Sequence, residues 1–330
     1  MKLYFIIFIG ITFLISSCGD KEKPQRSSTP QYRIEAMSEI PIFDSLSTLN
    51  YIKKQIGFGP RNPNSFGHKQ TMIFLHDELS KFADTTFVQR FSYPGYNNER
   101  LELGNIIASF NPSNPNRILL CAHWDTRPRA EKDNNQKNQM LPIQGANDGA
   151  SGVAVLLELA KILKNQKVEF GIDIILFDAE DYGTEGDLIN YSIGAKYFAQ
   201  NRPQYIKPAF GILLDMVGDK NAVFKREPNS MRFAPDIVDI IWKIAAQMGA
   251  STFSNEISSP IYDDHIPLGE VGMKVIDIID ADLVGAENPN PSRNYWHTHD
   301  DTIENISAKT LGEVGRVLLH LIYSLRFSSE

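Results

Sequence analysis

The stretch Ile172-Asp173-Ile174-Ile175-Leu176-Phe177-Asp178-Ala179-Glu180-Asp181-Tyr182 sets the frame for the rest of the chain. Its apolar run, Ile172 to Phe177, has the length and composition of a buried strand. Two adjacent carboxylates, Glu180 and Asp181, stand where the strand runs out. Open α/β sheets bind their ligands beyond the carboxyl ends of the strands. Adjacent side chains at a strand end point different ways, so one acid can hold a metal while its neighbour handles a proton. An acidic pair in such a place is as a rule merely solvated. The other strand ends therefore decide whether this one carries chemistry.

Toward the N-terminus, Arg117 to Cys121 is expected as a strand that delivers His123-Trp124-Asp125-Thr126-Arg127. A His and an Asp two residues apart can orient each other, the carboxylate fixing the imidazole tautomer. A polar loop, Ala130 to Leu141, leads to Gly145-Ala146-Asn147-Asp148-Gly149-Ala150-Ser151-Gly152 and an apolar helix, Val153 to Leu163. Asp148 could simply cap that helix. The crowd of Gly and Ala around it points instead to a sharp turn and close approach of a ligand. Toward the C-terminus, the strand Ala209 to Leu214 ends in Asp215-Met216-Val217-Gly218. Pro260 to Pro267, carrying Asp263, Asp264 and His265, is expected as a loop before the strand Lys274 to Ile279. Trp296-His297-Thr298-His299-Asp300-Asp301 follows a Pro/Asn-rich loop. Here Asp300 and Asp301 are expected in a solvated turn, and His265 and His299 as hydrogen-bonding structure.

Further strands are expected at Thr86 to Phe91 and Leu103 to Phe110. Amphipathic helices are expected around Leu46, Leu49, Ile52 and Ile56, around Met72, Ile73, Leu75, Leu79 and Phe82, over Gly194 to Gln200 and Ile237 to Met248, and around Leu311 to Ile322. Strands alternating with helices predict a single α/β domain, its central sheet mostly parallel with helices on both faces. Phosphate-loop, dinucleotide and G-x-S-x-G signatures are all missing from the sequence.

The 330 residues carry a formal net charge of -7, 42% hydrophobic and 22% charged residues, ordinary for a globular protein. The mild acidity argues against nucleic acid as a partner. Met1-Lys2 and the apolar run Leu3 to Ile15 have the form of an export signal, shorter than the ~20 residues of a membrane helix. The run ends Ile15-Ser16-Ser17-Cys18, which resembles a bacterial lipobox, and Gly19 resembles the pattern allowing transfer to the outer membrane. The expected organisation is a leader at 1–17, a lipidated Cys18 with a flexible tether to 38, and one catalytic domain over 39–330. The lipid would be the chain's only membrane contact, on the periplasmic or outer-membrane side. A monomer is expected. Cys121, in an apolar strand, is expected as a small buried core residue.

Gly-Ala-x-Asp before the apolar helix, the acidic pair after Phe-Asp-Ala, Leu-Leu-Asp-Met-Val-Gly and the late Trp-His-Thr together resemble the zinc-dependent glutaminyl cyclases of animal type. The likeness runs from about Phe43 to the C-terminus. It implies the zinc-aminopeptidase-like fold and cyclisation of N-terminal Gln of peptides or proteins to pyroglutamate, with loss of ammonia. Carried over residue by residue, it makes Asp148, Asp181 and His297 the ligands of one Zn2+ per chain. Glu180 becomes the proton shuttle, Asp215 and Asp263 its hydrogen-bond partners, and Trp296 and Ile261 substrate contacts. Asp263 stands where the related zinc aminopeptidases tend to have Ser.

Three features depart from the animal pattern or fail to discriminate. Asp181 replaces a Glu one methylene longer. No Trp follows Tyr182, so Tyr182 or Tyr191 is left to line the substrate entrance. His123 and Asp215 are also the residues with which aminopeptidases hold a second metal. A two-zinc aminopeptidase and a non-catalytic peptide-binding lipoprotein are therefore the rival readings.

Overall fold

The computed structural model describes residues 32–35 and 39–328. The leader and Cys18 lie outside the described residues. In chain order the elements are β1 (Tyr32–Ile34), α1 (Ser45–Ile56), α2 (Phe66–Ser80), β2 (Thr85–Pro94), β3 (Arg100–Phe110), β4 (Arg117–His123), α3 (Ala150–Asn165) and β5 (Gly171–Phe177). Next come α4 (Ile193–Asn201), β6 (Gly211–Asp215), β7 (Phe224–Arg226), α5 (Pro228–Phe233), α6 (Pro235–Met248), β8 (Phe253–Ile257), α7 (His265–Glu270), β9 (Val275–Ile279), α8 (Ala308–Ser324) and β10 (Leu325–Phe327).

The central sheet runs β2-β3-β5-β4-β6-β9. Strands β5, β4, β6 and β9 are parallel, while β2 and β3 join antiparallel at one edge. Four carboxyl ends, at Phe177, His123, Asp215 and Ile279, thus open on the same side. Side chains alternate across the sheet as a pleated strand requires. Ile172, Ile174 and Leu176 of β5 enter a large core with α1, α2, α3, α6 and α8. Ile175 and Phe177 face a smaller core with α4 and α7, which also holds the buried free Cys121. Helices cover both faces, as the alternation of strands and helices predicts.

Asp173 interrupts the apolar run of β5, and Arg117 on β4 holds it bidentately at 2.6 and 2.8 Å in the interior. Such a pair does not make the core more stable than apolar residues would. Removing either partner strands a buried charge, at about 3–5 kcal/mol.

The structure departs from expectation in several places, among them the short elements β7, α5 and β8, which were not expected. The loop expected through Pro267 becomes helix α7. Pro267 sits in its first turn, where the missing N–H would have had no helical partner. Tyr32–Ile34, inside the stretch expected as tether, pairs antiparallel with β10. The Tyr32 ring packs on Phe210 and Phe327 and its hydroxyl donates to Asp236 at 2.8 Å, so ordered structure begins before residue 39. In α1 the buried face holds Thr48, Tyr51, Ile52 and Gln55, and Leu46 is exposed. Tyr51 and Gln55 go inside because their polar tips find partners, Glu78 at 3.2 Å and the Ala150 carbonyl at 3.1 Å. Among the described residues no helix is long and apolar enough to cross a membrane.

Candidate active site

The parallel strand ends and the loops beyond them form one cleft. Its walls include Asp148, Glu180, Asp181, Asp215, Ile261, Asp263, Trp296 and His297. Every candidate drawn from the strand ends and the late loop therefore meets in one place. Tyr191 lines the cleft as well. Tyr182 turns elsewhere, its ring on Tyr96 and its hydroxyl donating to Glu99 at 2.6 Å.

Asp148, Asp181 and His297 each offer a ligand atom, and these atoms lie within 4.8 Å of one another. The His297 Nε2 stands 3.3 Å from Asp181 and 3.8 Å from Asp148. The second Asp181 oxygen, Oδ2, is buried and receives no hydrogen bond. Two carboxylates, one imidazole and an orphaned acceptor suit a divalent metal, and this donor set is typical of zinc where no thiolate is offered. Burial alone would raise the Asp181 pKa, but His297 and Arg127 outweigh it and hold it below the usual carboxylate range. A site for a cation keeps its anions ionised in this way.

The backbone is bent to make this approach. Gly149 adopts φ +87° and starts α3 with no side-chain cap, so Asp148 is free of the capping role. A Cβ at Gly149 would come within 2.6 Å of the Asp125 carbonyl and 2.9 Å of the His123 ring. Ala179, Met216 and His297 also take left-handed conformations, at φ 54°, 47° and 53°. Each costs on the order of 1 kcal/mol or more, and each sits at or beside a cleft residue.

Glu180 is buried, accepts from the Ser192 hydroxyl at 3.4 Å, and donates its backbone N–H to Asp125 at 2.9 Å. Burial, then the charges of Asp263 and Asp181, push its pKa well above the usual range. Asp215 gives its Oδ1 to His123 Nε2 at 3.1 Å, and the same nitrogen lies 3.1 Å from Asp148. Trp296 stacks on His297 with ring centroids 3.4 Å apart, and Ile261 packs into the same apolar patch with Met216, Ile279 and Leu283.

Behind Glu180 lies a buried group of acids. Asp263 Oδ2 and both oxygens of Asp277 receive no hydrogen bond from an ordinary donor. Burial and the neighbouring Asp215 lift Asp263 to about 6. Burial and then Asp263 push Asp264 and Asp277 well above the carboxylate range. His265, inside this group, stands 3.3 Å from Glu227 and 3.8 Å from Asp277. It was expected to be hydrogen-bonded, but neither ring nitrogen makes a hydrogen bond of good geometry, and His265 is held among these acids by charge alone. His299 pairs with Asp133 at 3.0 Å, as expected.

Asp301 departs from the expectation of a solvated turn. It is buried and accepts the backbone N–H groups of Asn147 and Asp148 at 2.8 and 3.0 Å, so it holds the Asp148 loop in place. Asp300 beside it is exposed, as expected. Other supports had no sequence signal. Buried Arg61 ties the Trp124, Gln144 and Gly145 carbonyls together. Asp125 accepts from the backbone N–H of both Glu180 and Asp181. Arg127, just past the strand end, reaches Asp181, and Glu131, in what reads in sequence as a polar loop, reaches His297. A Thr-Arg after His-x-Asp at a strand end was the one available cue.

A mostly parallel sheet with a carboxylate–imidazole triad at its strand ends is the architecture of the zinc exopeptidases. Residues 105–322 match the model of Peptidase family M28, and the chain belongs to that family. It is similar to the Bacteroides thetaiotaomicron glutaminyl cyclase bound to N-acetylhistamine, with 41% identity over 86% of this chain and 99% of that one, and a TM-score of 0.81. It is equally similar to a leucine aminopeptidase precursor from the same species, with 41% identity over 86% and 98% and a TM-score of 0.81. The glutaminyl-peptide cyclotransferase of Boiga irregularis is 23% identical over 294 residues, 78% of this chain and 75% of that protein.

Proposed function

We propose that the protein is a zinc-dependent glutaminyl-peptide cyclotransferase, converting an N-terminal Gln of peptides or proteins to pyroglutamate with release of ammonia. One zinc per chain would be held by Asp148, Asp181 and His297. Bound there, it supplies polarisation of the substrate's γ-carbonyl. Glu180 takes a proton from the α-amine, which attacks the γ-carbonyl carbon and closes a five-membered lactam. The C–N bond to the amide nitrogen breaks, and Glu180 returns the proton to the departing ammonia. Both reacting groups belong to one residue, so holding the bent conformer supplies much of the rate. Trp296 and Ile261 form an apolar wall for the Gln side chain and limit water. Asp263, with Asp215 behind it, holds the amine and Glu180 in line.

The observation that carries this reading is Asp263. Its carboxylate lines the cleft with Glu180, and its Oδ2 is buried without a donor. A carboxylate beside the proton shuttle suits a substrate ammonium, and its charge helps keep Glu180 able to take and return a proton. One observation favours a second reading. His123, Asp148 and Asp215 could also hold a metal, which would make the site a two-metal aminopeptidase.

Peptides beginning with Gln and with Leu separate the two. A cyclase yields ammonia and a pyroglutamyl product from the first and leaves the second intact, with one zinc per chain by metal analysis. Leucine release without cyclisation, or two metals per chain, would overturn the proposal. We further propose that Cys18 is acylated and anchors the domain outside the cytoplasm as a monomer. The wild type should then fractionate with membranes, and finding it soluble in the cytoplasm would sink this placement.

A further inference from the structure

The segment after β4 grips two of the three metal-binding side chains at once. The buried Arg127 guanidinium donates from Nη1 to the Asp181 carboxylate at 3.1 Å and to the Asp181 carbonyl at 2.9 Å. Its Nε donates to Glu131 at 2.8 Å, and its Nη2 bonds the same carboxylate. Glu131 Oε1 in turn lies 3.2 Å from His297 Nδ1. The backbone follows suit, since the Lys132 N–H donates to the His297 carbonyl at 3.2 Å. Tyr191 closes the arrangement, its ring 5.2 Å from the guanidinium carbon.

An imidazole binds metal through one nitrogen only if the other keeps the proton, and a hydrogen-bond acceptor on that other nitrogen decides which tautomer is present. Here Nε2 faces Asp148 and Asp181, and Nδ1 faces Glu131. Left alone, Glu131 and Asp181 would repel each other across His297. Arg127 lies between them and offsets their repulsion, its fixed fork donating to both carboxylates. His297 also sits at a left-handed φ of 53°, a conformation that needs support from its surroundings.

We infer that Glu131 is the positioning residue for the metal-binding His297, and that Arg127 couples it to Asp181, so that the Arg127–Glu131 pair sets the affinity of the site for metal. Glu131 itself touches no substrate. This rests on Asp148, Asp181 and His297 being the ligands, but not on which reaction follows.

The test is zinc affinity by competition with a chelator, alongside thermal unfolding of the metal-free proteins. Glu131 is a quarter exposed, whereas Arg127 is buried, so metal-free stability has to be measured beside zinc affinity. Glu131→Ala should weaken zinc binding by roughly 10–100-fold, more than is accounted for by the stability that the metal-free protein loses as buried Arg127 gives up its bonds to Glu131. Glu131→Gln, which keeps an acceptor but loses the charge, should fall between the two. In the zinc-loaded wild type, 15N NMR should show the His297 proton on Nδ1. Affinity of Glu131→Ala within threefold of wild type would overturn the inference, as would weakening fully matched by loss of metal-free stability. Asp181→Ala is the control for the ligand assignment. If it keeps full zinc affinity, the triad is wrong. If it loses zinc while Glu131→Ala does not, only the role of Glu131 fails.

Discussion

The two sides of the cleft treat their carboxylates in opposite ways. On the side of Asp148, Asp181 and His297, acids are matched with bases. Arg127 serves Asp181 and Glu131, and His123 lies between Asp148 and Asp215. On the side behind Glu180, Asp263, Asp264 and Asp277 chiefly face one another, and the imidazole among them, His265, is shared with Glu227. A nearby positive charge favours the ionised acid, while burial and like charges favour the protonated one. The first wall therefore favours fixed negative charge for a cation, and the second holds its protons more tightly than ordinary carboxylates do. Glu180 and Asp181, consecutive in sequence, fall on either side of this division. Their pKa values are pushed apart, up for Glu180 and down for Asp181. Such divergence separates an acid–base residue from an electrostatic one.

The hardest blow to this division would come from Glu180→Gln. If Glu180 belongs to the proton side alone, turnover should fall about 10²–10⁴-fold while zinc content stays that of wild type. Loss of metal in this variant would mean that the two walls are not separate.

The pH dependence of stability sharpens the same contrast, because the two kinds of acid contribute with opposite sign. Glu227 is held at about 2 in the folded state: burial would raise it, but His265 and the backbone N–H groups of Asn229 and Ser230 prevail. Its unfolded value is roughly 4.3, so its contribution is full above that pH and is lost as pH falls through about 2. Asp263 is raised to about 6, so its contribution is full below its unfolded value of roughly 3.9 and is lost as pH rises through about 6. Each effect is on the order of 2–3 kcal/mol at most. Denaturant unfolding of metal-free Glu227→Gln should lose the acid-side slope. Asp263→Asn should lose the slope between about pH 4 and 6. The same sign in both variants would dissolve the distinction.

The smallest effect is expected at Asp277. If it already carries a proton, Asn is nearly its isostere, and Asp277→Asn should unfold within about 1 kcal/mol of wild type. A cost of several kcal/mol would show that Asp277 is ionised and paired.

The strand ends were legible because each ends in residues whose chemistry differs sharply from the apolar run before it. His123, Asp148, Glu180, Asp181, Asp215 and His297 stand out for that reason, and the sheet follows from the runs themselves. The supporting residues do not stand out. Arg127 and Glu131 sit among Arg129, Lys132 and Asp133, where charges usually mean solvent. Asp301 follows the exposed Asp300, and nothing local tells one from the other. Asp277 lies within an apolar strand, and its meaning comes only from Asp263 and His265 arriving from a different loop. Strands β1 and β10, three residues each, are too short to show a period.

That short β1–β10 pair also fixes a direction. Tyr32 packs on Phe210, just ahead of β6, and Phe327 on Phe170, just ahead of β5. The chain therefore joins the domain at the amino ends of the parallel strands, and the cleft opens at their carboxyl ends. A domain tethered through Cys18 would be held by its base. The approach to the cleft is left clear of the point where the chain enters the domain.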